Sequence, residues 1–304
     1  GDHLAQARGV LRGIGAIDTE GGITPHGRKV AALPCHPRIS NMLVLATDDS
    51  GKALGADIAA ILEEKDRMPL EHDGADICLR IDELRRNRRS HGWARIARNA
   101  EQYRTMVRAR EDNTSADPLM VGRLVAAAYP ERIAQGKGCG HFLLANGETA
   151  KVAISDTLAE CDYLAIASLN QHTGSEGWIL LASPVAPEET GLVSTRSVIT
   201  WDSRAGKVIA RQERRIGRLL IGETPLHNVS RDEITAAVCE AAPKEGLSMF
   251  DFNDEVQNLA DFVLFSQRSC ILSLSPVLTR GKVSYPQFFL LAYLAEEDCL
   301  SMSS

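Results

Sequence analysis

The residues best able to do chemistry in this sequence are arginines, and they are concentrated in one segment. Residues 80–110 contain ten arginines against three acidic residues, a net charge of +7, whereas the whole chain carries −6. The guanidinium group has forked N–H donors that match phosphate oxygens. Clustered cations of this kind bind nucleic acid without sequence preference and with a strong dependence on salt. The candidate nucleic-acid-binding residues are Arg85, Arg88, Arg89, Arg95 and Arg98.

A second interpretation of the same cluster is purely structural. The arginines could lie on a solvated helix face and pair with the acidic side chains that precede them in the sequence. Those residues are Glu63, Glu64, Asp66, Glu71, Asp73 and Asp76. Exposed ion pairs contribute little to stability, so such pairing would give the cluster no particular function. Composition alone leaves both interpretations open.

The segment Gly22–Lys29 approaches the phosphate-binding loop of nucleotide triphosphatases but departs from it at the decisive positions. That loop needs Lys directly after its second Gly and then Ser or Thr. Here Arg28 and Lys29 occupy those two positions, and Pro25 removes an amide donor. The segment is therefore predicted to be a turn that leads into a helix.

No other pattern in the sequence indicates a catalytic, cofactor or metal site. The seven cysteines are scattered without a CxxC pair, which favours free thiols in a reducing cytoplasm and hence a cytoplasmic protein. The eight histidines form no HExxH pattern, and no GxSxG motif surrounds a serine. Gly136, Gly138 and Gly140 precede a strand rather than follow one, which favours a flexible connector over a dinucleotide fingerprint.

The elements that must position the arginines are predominantly helical. Residues 1–39 read as a helix, a glycine-rich hairpin and a second helix capped by Thr24, a partial winged-helix arrangement. Residues 40–117 read as a helical bundle in which Ser40 caps the first helix, Gly51–Asp66 forms the second and Asp73 opens the third. The polar stretch 112–118 is the predicted domain boundary.

The remaining chain has a different pattern of predicted secondary structure. Residues 118–225 begin with a helix and continue with short strand-like runs that predict a small barrel or sandwich. The runs lie at 141–144, 150–154, 163–168, 178–182, 198–202 and 208–214. Residues 226–304 open with a helix capped by Ser230, and from about 262 the composition turns rich in Phe and Ser. The chain has no run of 18 apolar residues, so no contact with a membrane is expected.

Several motifs carry a family likeness. Leu11–Asp18, Ile23–Pro34 and His36–Leu43 resemble the junction between the winged-helix and ratchet domains of DEAH-box helicases. Gly55–Asp66, Ala128–Ala134 and the run beginning at His141 are similar to one bacterial branch, the HrpB helicases. The likeness extends over about residues 1–258, and the tail from about 262 departs from it.

The resemblance implies an α+β multidomain chain with a partial winged helix (1–39), a helical ratchet (40–117), an OB-like barrel (118–225) and an HrpB-type C-terminal region (226–304). It also implies a RecA-type motor that binds ATP and Mg²⁺ and lies outside this chain. No catalytic or cofactor-binding residue therefore carries over. The implied partners are single-stranded RNA or DNA and the motor domains of the parent protein.

The sequence thus favours an accessory portion of an RNA helicase that supports and guides a single strand. The rival interpretations are a stand-alone nucleic-acid-binding adaptor and a structural fragment without its own activity. An open reading frame that encodes a P-loop and a DEAH box just upstream of residue 1 would identify the parent protein.

We expect the purified chain to hydrolyse no ATP, with or without RNA, because it lacks a phosphate-binding loop. A steady-state phosphate-release assay checks this. Turnover that RNA stimulates would show that the Gly22–Lys29 segment had been misinterpreted.

Overall fold

A computed structural model describes residues 2–64, 74–170 and 176–245. Three sequence predictions fall outside these residues: the end of a helix at Asp66, the start of a helix at Asp73 and the atypical tail from about 262. The described helices are α1 (Asp2–Gly13), α2 (Pro25–Ala31), α3 (Pro37–Leu45), α4 (Asp49–Glu63), α5 (Ile77–Asn87), α6 (Ala94–Val107), α7 (Pro118–Ala128) and α8 (Arg231–Glu245). None of them is long and apolar enough to cross a lipid bilayer.

The turn between α1 and α2 forms as predicted. Ile17 and Ile23 make an isolated antiparallel bridge, and Thr24 caps α2 by accepting a hydrogen bond from the amide of Gly27. Gly27 is required there, since a Cβ atom would lie 2.0 Å from the carbonyl oxygen of Ala16. The Gly22–Lys29 segment is therefore a turn and a helix start rather than a phosphate cradle.

The helix starts of α3 and α4 correct the sequence predictions. Ser40 does not cap α3. The helix begins earlier, at Pro37, whose fixed φ suits the first helical position, and His36 accepts the amide of Arg38 at 3.3 Å. Likewise α4 begins at Asp49 rather than Gly51, because the carboxylate of Asp48 caps it.

The helical core lies where helical spacing places it. Ile58 and Ile61 of α4 and Ile77, Ile81 and Leu84 of α5 are completely buried. On α6 the buried side chains include Trp93, Ile96, Ala100 and Tyr103. Leu79 is exposed, because two residues of helix after Ile77 turn a side chain to the opposite side of α5.

Five strands form a closed barrel with the order β1-β2-β3-β5-β4. They are β1 (Ile133–Gly138), β2 (His141–Leu144), β3 (Thr149–Lys151), β4 (Tyr163–Asn170) and β5 (Gly177–Pro184). Neighbouring strands are antiparallel except β3 and β5, which are parallel. The barrel interior is filled by apolar side chains, among them Phe142, Leu144, Leu164, Ile166 and Ile179.

The glycine-rich segment that the sequence predicted as a flexible connector is strand β1. Gly136 pairs with Phe142 and Gly138 with His141. A Cβ atom at Gly136 would lie 2.5 Å from the carbonyl oxygen of Cys161, so glycine permits close backbone approach here. Barrel packing therefore requires glycine at position 136.

Helix α7 packs the helices against the barrel. Its Val121, Leu124 and Val125 belong to the same buried core as the helical bundle. A Cβ atom at Gly122 would lie 1.9 Å from the carbonyl oxygen of Pro184 in β5. The close approach fixes how this helix lies on the strand.

A second sheet with the order β6-β7-β8 follows the barrel. Its strands are β6 (Ser194–Asp202), β7 (Lys207–Ile216) and β8 (Leu219–Pro225). The predicted strands 198–202 and 208–214 lie inside β6 and β7, whereas β8 was not predicted. Ser230 caps α8 as expected, because its hydroxyl accepts the amide of Glu233.

By compactness the chain divides into two units. Of the described residues, one unit contains those up to 195 and 214–222, and the other contains 196–213 and 223–245. The finer four-domain division suggested by the sequence stays a prediction.

Candidate nucleic-acid interface

The predicted arginines lie on α5, on α6 and in the turn that joins these helices. Both helices bury one apolar face, so each arginine is assigned to the interior or to the surface by its position around the helix. The structure separates the five candidates into an inner group and an outer group.

The inner group converges on Asp57, a completely buried residue of α4. Arg88 binds its carboxylate through two donors, Nη1 to Oδ1 at 2.9 Å and Nη2 to Oδ2 at 2.7 Å. Arg85 donates from Nε to Oδ2 at 3.0 Å, and Nη1 of Arg104 lies 3.4 Å from Oδ1. The exposed fractions of these arginine side chains are only 3%, 8% and 8% for Arg85, Arg88 and Arg104. We call these four residues the Asp57 cluster.

The Asp57 cluster also holds the segment that follows α6. Arg85 donates to the carbonyl oxygen of Thr114 at 2.7 Å, and Arg88 donates to the carbonyl oxygen of Asp112 at 3.0 Å. Arg88 Nε reaches the side chain of Asn113 at 2.8 Å. The polar stretch predicted as a domain boundary is therefore fastened to the helices by charge-assisted hydrogen bonds.

Two acidic residues near this segment are shifted toward the ionised form. The pKa of Glu111 lies below its usual value, first because Asn113 donates to its carboxylate and then because of the charges of Arg88 and Arg104. Partial burial opposes ionisation of Asp112. Hydrogen bonds from Thr114 and the charge of Arg85 nevertheless lower the pKa of Asp112 overall. Negative charge is thus maintained beside the excess of buried guanidinium groups.

The outer group consists of Arg89, Arg95 and Arg98, all of which are exposed. Arg95 retains an exposed side-chain fraction of 59% although its guanidinium lies 2.9 Å from the carboxylate of Glu64. Arg86 of α5 is exposed on the same pair of helices. Among residues 2–64, 74–170 and 176–245, Arg86, Arg89 and Arg98 have no ion-pair partner.

The interpretation that the arginines pair with the acidic side chains preceding them is thus confirmed in part. Arg95 pairs with Glu64, as that interpretation expected, whereas Glu63 accepts a hydrogen bond from the hydroxyl of Tyr103. The partner of Arg85 and Arg88 is Asp57, which the sequence analysis missed. A signal was present, because Asp57 is the one charged residue within the apolar stretch from Ala53 to Leu62.

The motif at residues 128–134 makes contacts within the protein. The ring of Tyr129 lies between two guanidinium groups, with Arg38 at 4.9 Å and Arg132 at 4.7 Å from its centroid. Glu131 forms an ion pair with Arg38 at 2.8 Å and another with Arg132 at 3.6 Å. These contacts fasten the end of α7 to the start of α3. In the part of the chain that the structure describes, no group of three or more His, Cys, Asp or Glu side chains could hold a metal ion.

Comparison with known proteins points to one group. The family described as the connector region of the ATP-dependent RNA helicase HrpB matches residues 192–226. The ATP-dependent RNA helicase HrpB of Escherichia coli strain K12 is 31% identical over 264 residues, which cover 84% of this chain and 31% of that protein.

Two crystal structures give the same result. The E. coli DExH-box NTPase HrpB has a TM-score of 0.64 at 28% identity, covering 99% of this chain and 35% of that one. The structure titled Escherichia coli DEAH/RHA helicase HrpB also has a TM-score of 0.64, at 26% identity, with 99% and 36% covered. The chain spans about a third of the length of these relatives.

The proteins that this chain resembles are thus helicases of the DEAH class. The particular resemblance is to a portion of HrpB, and the resemblance that the sequence motifs carry is confirmed.

We expect the replacement Asp57→Asn to lower the free energy of unfolding by about 3–5 kcal/mol. Removing one partner of a buried ion pair leaves the other charges uncompensated, and here three guanidinium groups lose their shared carboxylate. Urea denaturation followed by circular dichroism measures the change. The matched control is Glu101→Gln, an exposed carboxylate on α6. A loss as small as that of the control would contradict the role assigned to the Asp57 cluster.

Proposed function

We propose that this chain is an accessory portion of an HrpB-like ATP-dependent RNA helicase and that it supports and guides single-stranded nucleic acid beside a RecA-type motor. The observation that carries the proposal is the division of the arginines. An inner group fixes α5 and α6 to α4, and an outer group on the same helices is left exposed.

The fixed frame matters because binding to a flexible chain costs entropy. Arginines on helices whose own positions are set by buried ion pairs present their guanidinium groups from a stationary surface. Such a surface suits a phosphate backbone, which offers the same charge at each nucleotide and needs no base contact to be held.

The architecture of the chain is consistent with a part that binds a single strand. We take the closed barrel, with strand order β1-β2-β3-β5-β4 and β3 parallel to β5, to be OB-like. OB-folds bind oligonucleotides. In our proposal residues 1–39 form part of a winged helix and residues 40–117 form a ratchet. The ATP and Mg²⁺ belong to the motor domains of the parent protein and not to this chain. The parent acts in the cytoplasm.

The stand-alone adaptor and the inactive fragment are the alternatives. The similarity to HrpB favours a part of a helicase over an adaptor. The exposed outer arginines favour a strand-binding role over an inactive fragment, since exposed cations on one face attract a polyanion.

We expect replacement of Arg86, Arg89, Arg95 and Arg98 by Gln to weaken binding to single-stranded RNA and to reduce its salt dependence. If all four side chains contact phosphates, the log–log slope of affinity against salt should flatten by roughly 3 units, about 0.7 for each contact. Fluorescence anisotropy with a labelled oligouridine at several salt concentrations measures the slope. The fold should be retained, because none of the four belongs to the Asp57 cluster.

The control variant removes the same number of charges from exposed arginines elsewhere, namely Arg8, Arg123, Arg204 and Arg231. Its slope should change by less than about 1 unit, because charge that does not contact phosphate releases no counterions. An unaltered slope in the α5–α6 variant would contradict the proposal. Equal flattening in both variants would show that net charge, rather than this surface, determines binding.

A further inference from the structure

Away from the arginines, the outer face of the barrel carries three side chains in one row across three strands. His141 of β2 lies opposite Lys151 of β3, and Lys151 lies opposite Trp178 of β5. Residues directly opposite one another on neighbouring strands point to the same face of a sheet. We call these three residues the barrel row.

The barrel row faces outward, as the alternation along each strand shows. The adjacent residues Phe142, Ala150 and Ile179 are buried in the barrel interior. By contrast, the exposed fraction of Trp178 is 44%, and the side chains of His141 and Lys151 are 51% and 40% exposed. A large aromatic ring left this open is the feature that needs an explanation.

Charged groups frame the ring. Nζ of Lys151 lies 5.7 Å from the centroid of the Trp178 ring, within the distance at which a cation is attracted to an aromatic face. The carboxylate of Glu176 lies 2.8 Å from Nδ1 of His141 and 3.6 Å from Nζ of Lys151. These polar groups hold the row together on the surface.

The charged groups beside Trp178 favour one class of partner over another. An apolar protein surface that covered Trp178 would also bury the ammonium of Lys151 and the carboxylate of Glu176, which is costly without new partners. A nucleotide avoids the cost for the ammonium, because its base stacks on the indole while its phosphate provides oxygens for Lys151. Aromatic side chains beside cations are the usual means of binding single strands without sequence preference.

We propose that the barrel row is a base-stacking site for single-stranded nucleic acid, with Trp178 as the stacking ring and Lys151 as the phosphate contact. The inference rests on the proposed function for its class of ligand. It adds a contact of a different kind, since stacking on a neutral ring contributes affinity without releasing counterions from phosphates.

The test compares Trp178→Ala, Trp178→Phe and the control Leu180→Ala in the anisotropy titration with oligouridine. Leu180 lies two residues further along β5 and is exposed by 42%, so its removal deletes apolar surface without deleting a ring. We expect Trp178→Ala to lower affinity about tenfold at every salt concentration with an unchanged slope. Trp178→Phe should retain most of the affinity, and Leu180→Ala should change it less than twofold.

An abasic strand of equal length provides the second readout. The unaltered protein should bind it as weakly as Trp178→Ala binds oligouridine, and Trp178→Ala should reduce affinity for it no further. Wild-type affinity for oligouridine in Trp178→Ala would overturn the stacking site and leave the row as a protein contact. The stacking site would also be overturned if Trp178→Ala lowered the affinity for the abasic strand as much as it lowers the affinity for oligouridine. Either failure is distinct from that of the proposed function, which is decided by the slope of the α5–α6 variant.

Discussion

The carboxylate of Asp57 is the point at which the helical part of this protein is held together. Three guanidinium groups, from α5, α6 and the turn between them, share one buried carboxylate. Burying four charges is itself expensive, and apolar residues of the same volume could replace them without loss of stability. What the ion pairs add is geometry: a bidentate pair such as Arg88 with Asp57 permits one relative placement of α4 and α5. The same arginines then bind the chain that follows α6, so the path from the bundle toward α7 is also set.

A consequence is that one run of arginines is divided between the interior and the surface of the protein. Arg85, which is buried, and Arg86, which is exposed, are adjacent in α5 and lie about 100° apart around the helix. The inner arginines donate their hydrogen bonds to groups within the protein, so only the outer arginines are available to an external anion. The high arginine content of residues 80–110 therefore overstates the charge that a nucleic acid would meet, but it also explains why the exposed charge lies on a rigid support.

The sequence predicts the parts of this fold that depend on local patterns. Thr24 caps α2, and Ile77, Ile81 and Leu84 share one buried face, because caps and helical spacing act over a few residues. Strand β1 was missed because Gly136 and Gly138 leave little side-chain alternation, and because the close backbone contact of Gly136 is with Cys161, which is distant in sequence.

The candidate site shows the same limit. Its arginines could be predicted from charge density, but their direction could not. Asp57 lies 28, 31 and 47 residues away in sequence from Arg85, Arg88 and Arg104, and only tertiary packing brings the four together. Similarly, the register that aligns Lys151 with Trp178 depends on the parallel pairing of β3 and β5, which no pattern within either strand specifies.

The most direct test of this account is chemical modification of the arginines with phenylglyoxal, located by mass spectrometry with and without oligouridine. The reagent modifies guanidinium groups that solvent can reach. The account predicts that Arg89, Arg95 and Arg98 react in the free protein and are protected by the oligonucleotide, whereas Arg85, Arg88 and Arg104 stay unreactive in both states. Reaction of the inner arginines at the rate of the outer ones, or an absence of protection at the outer ones, would contradict it.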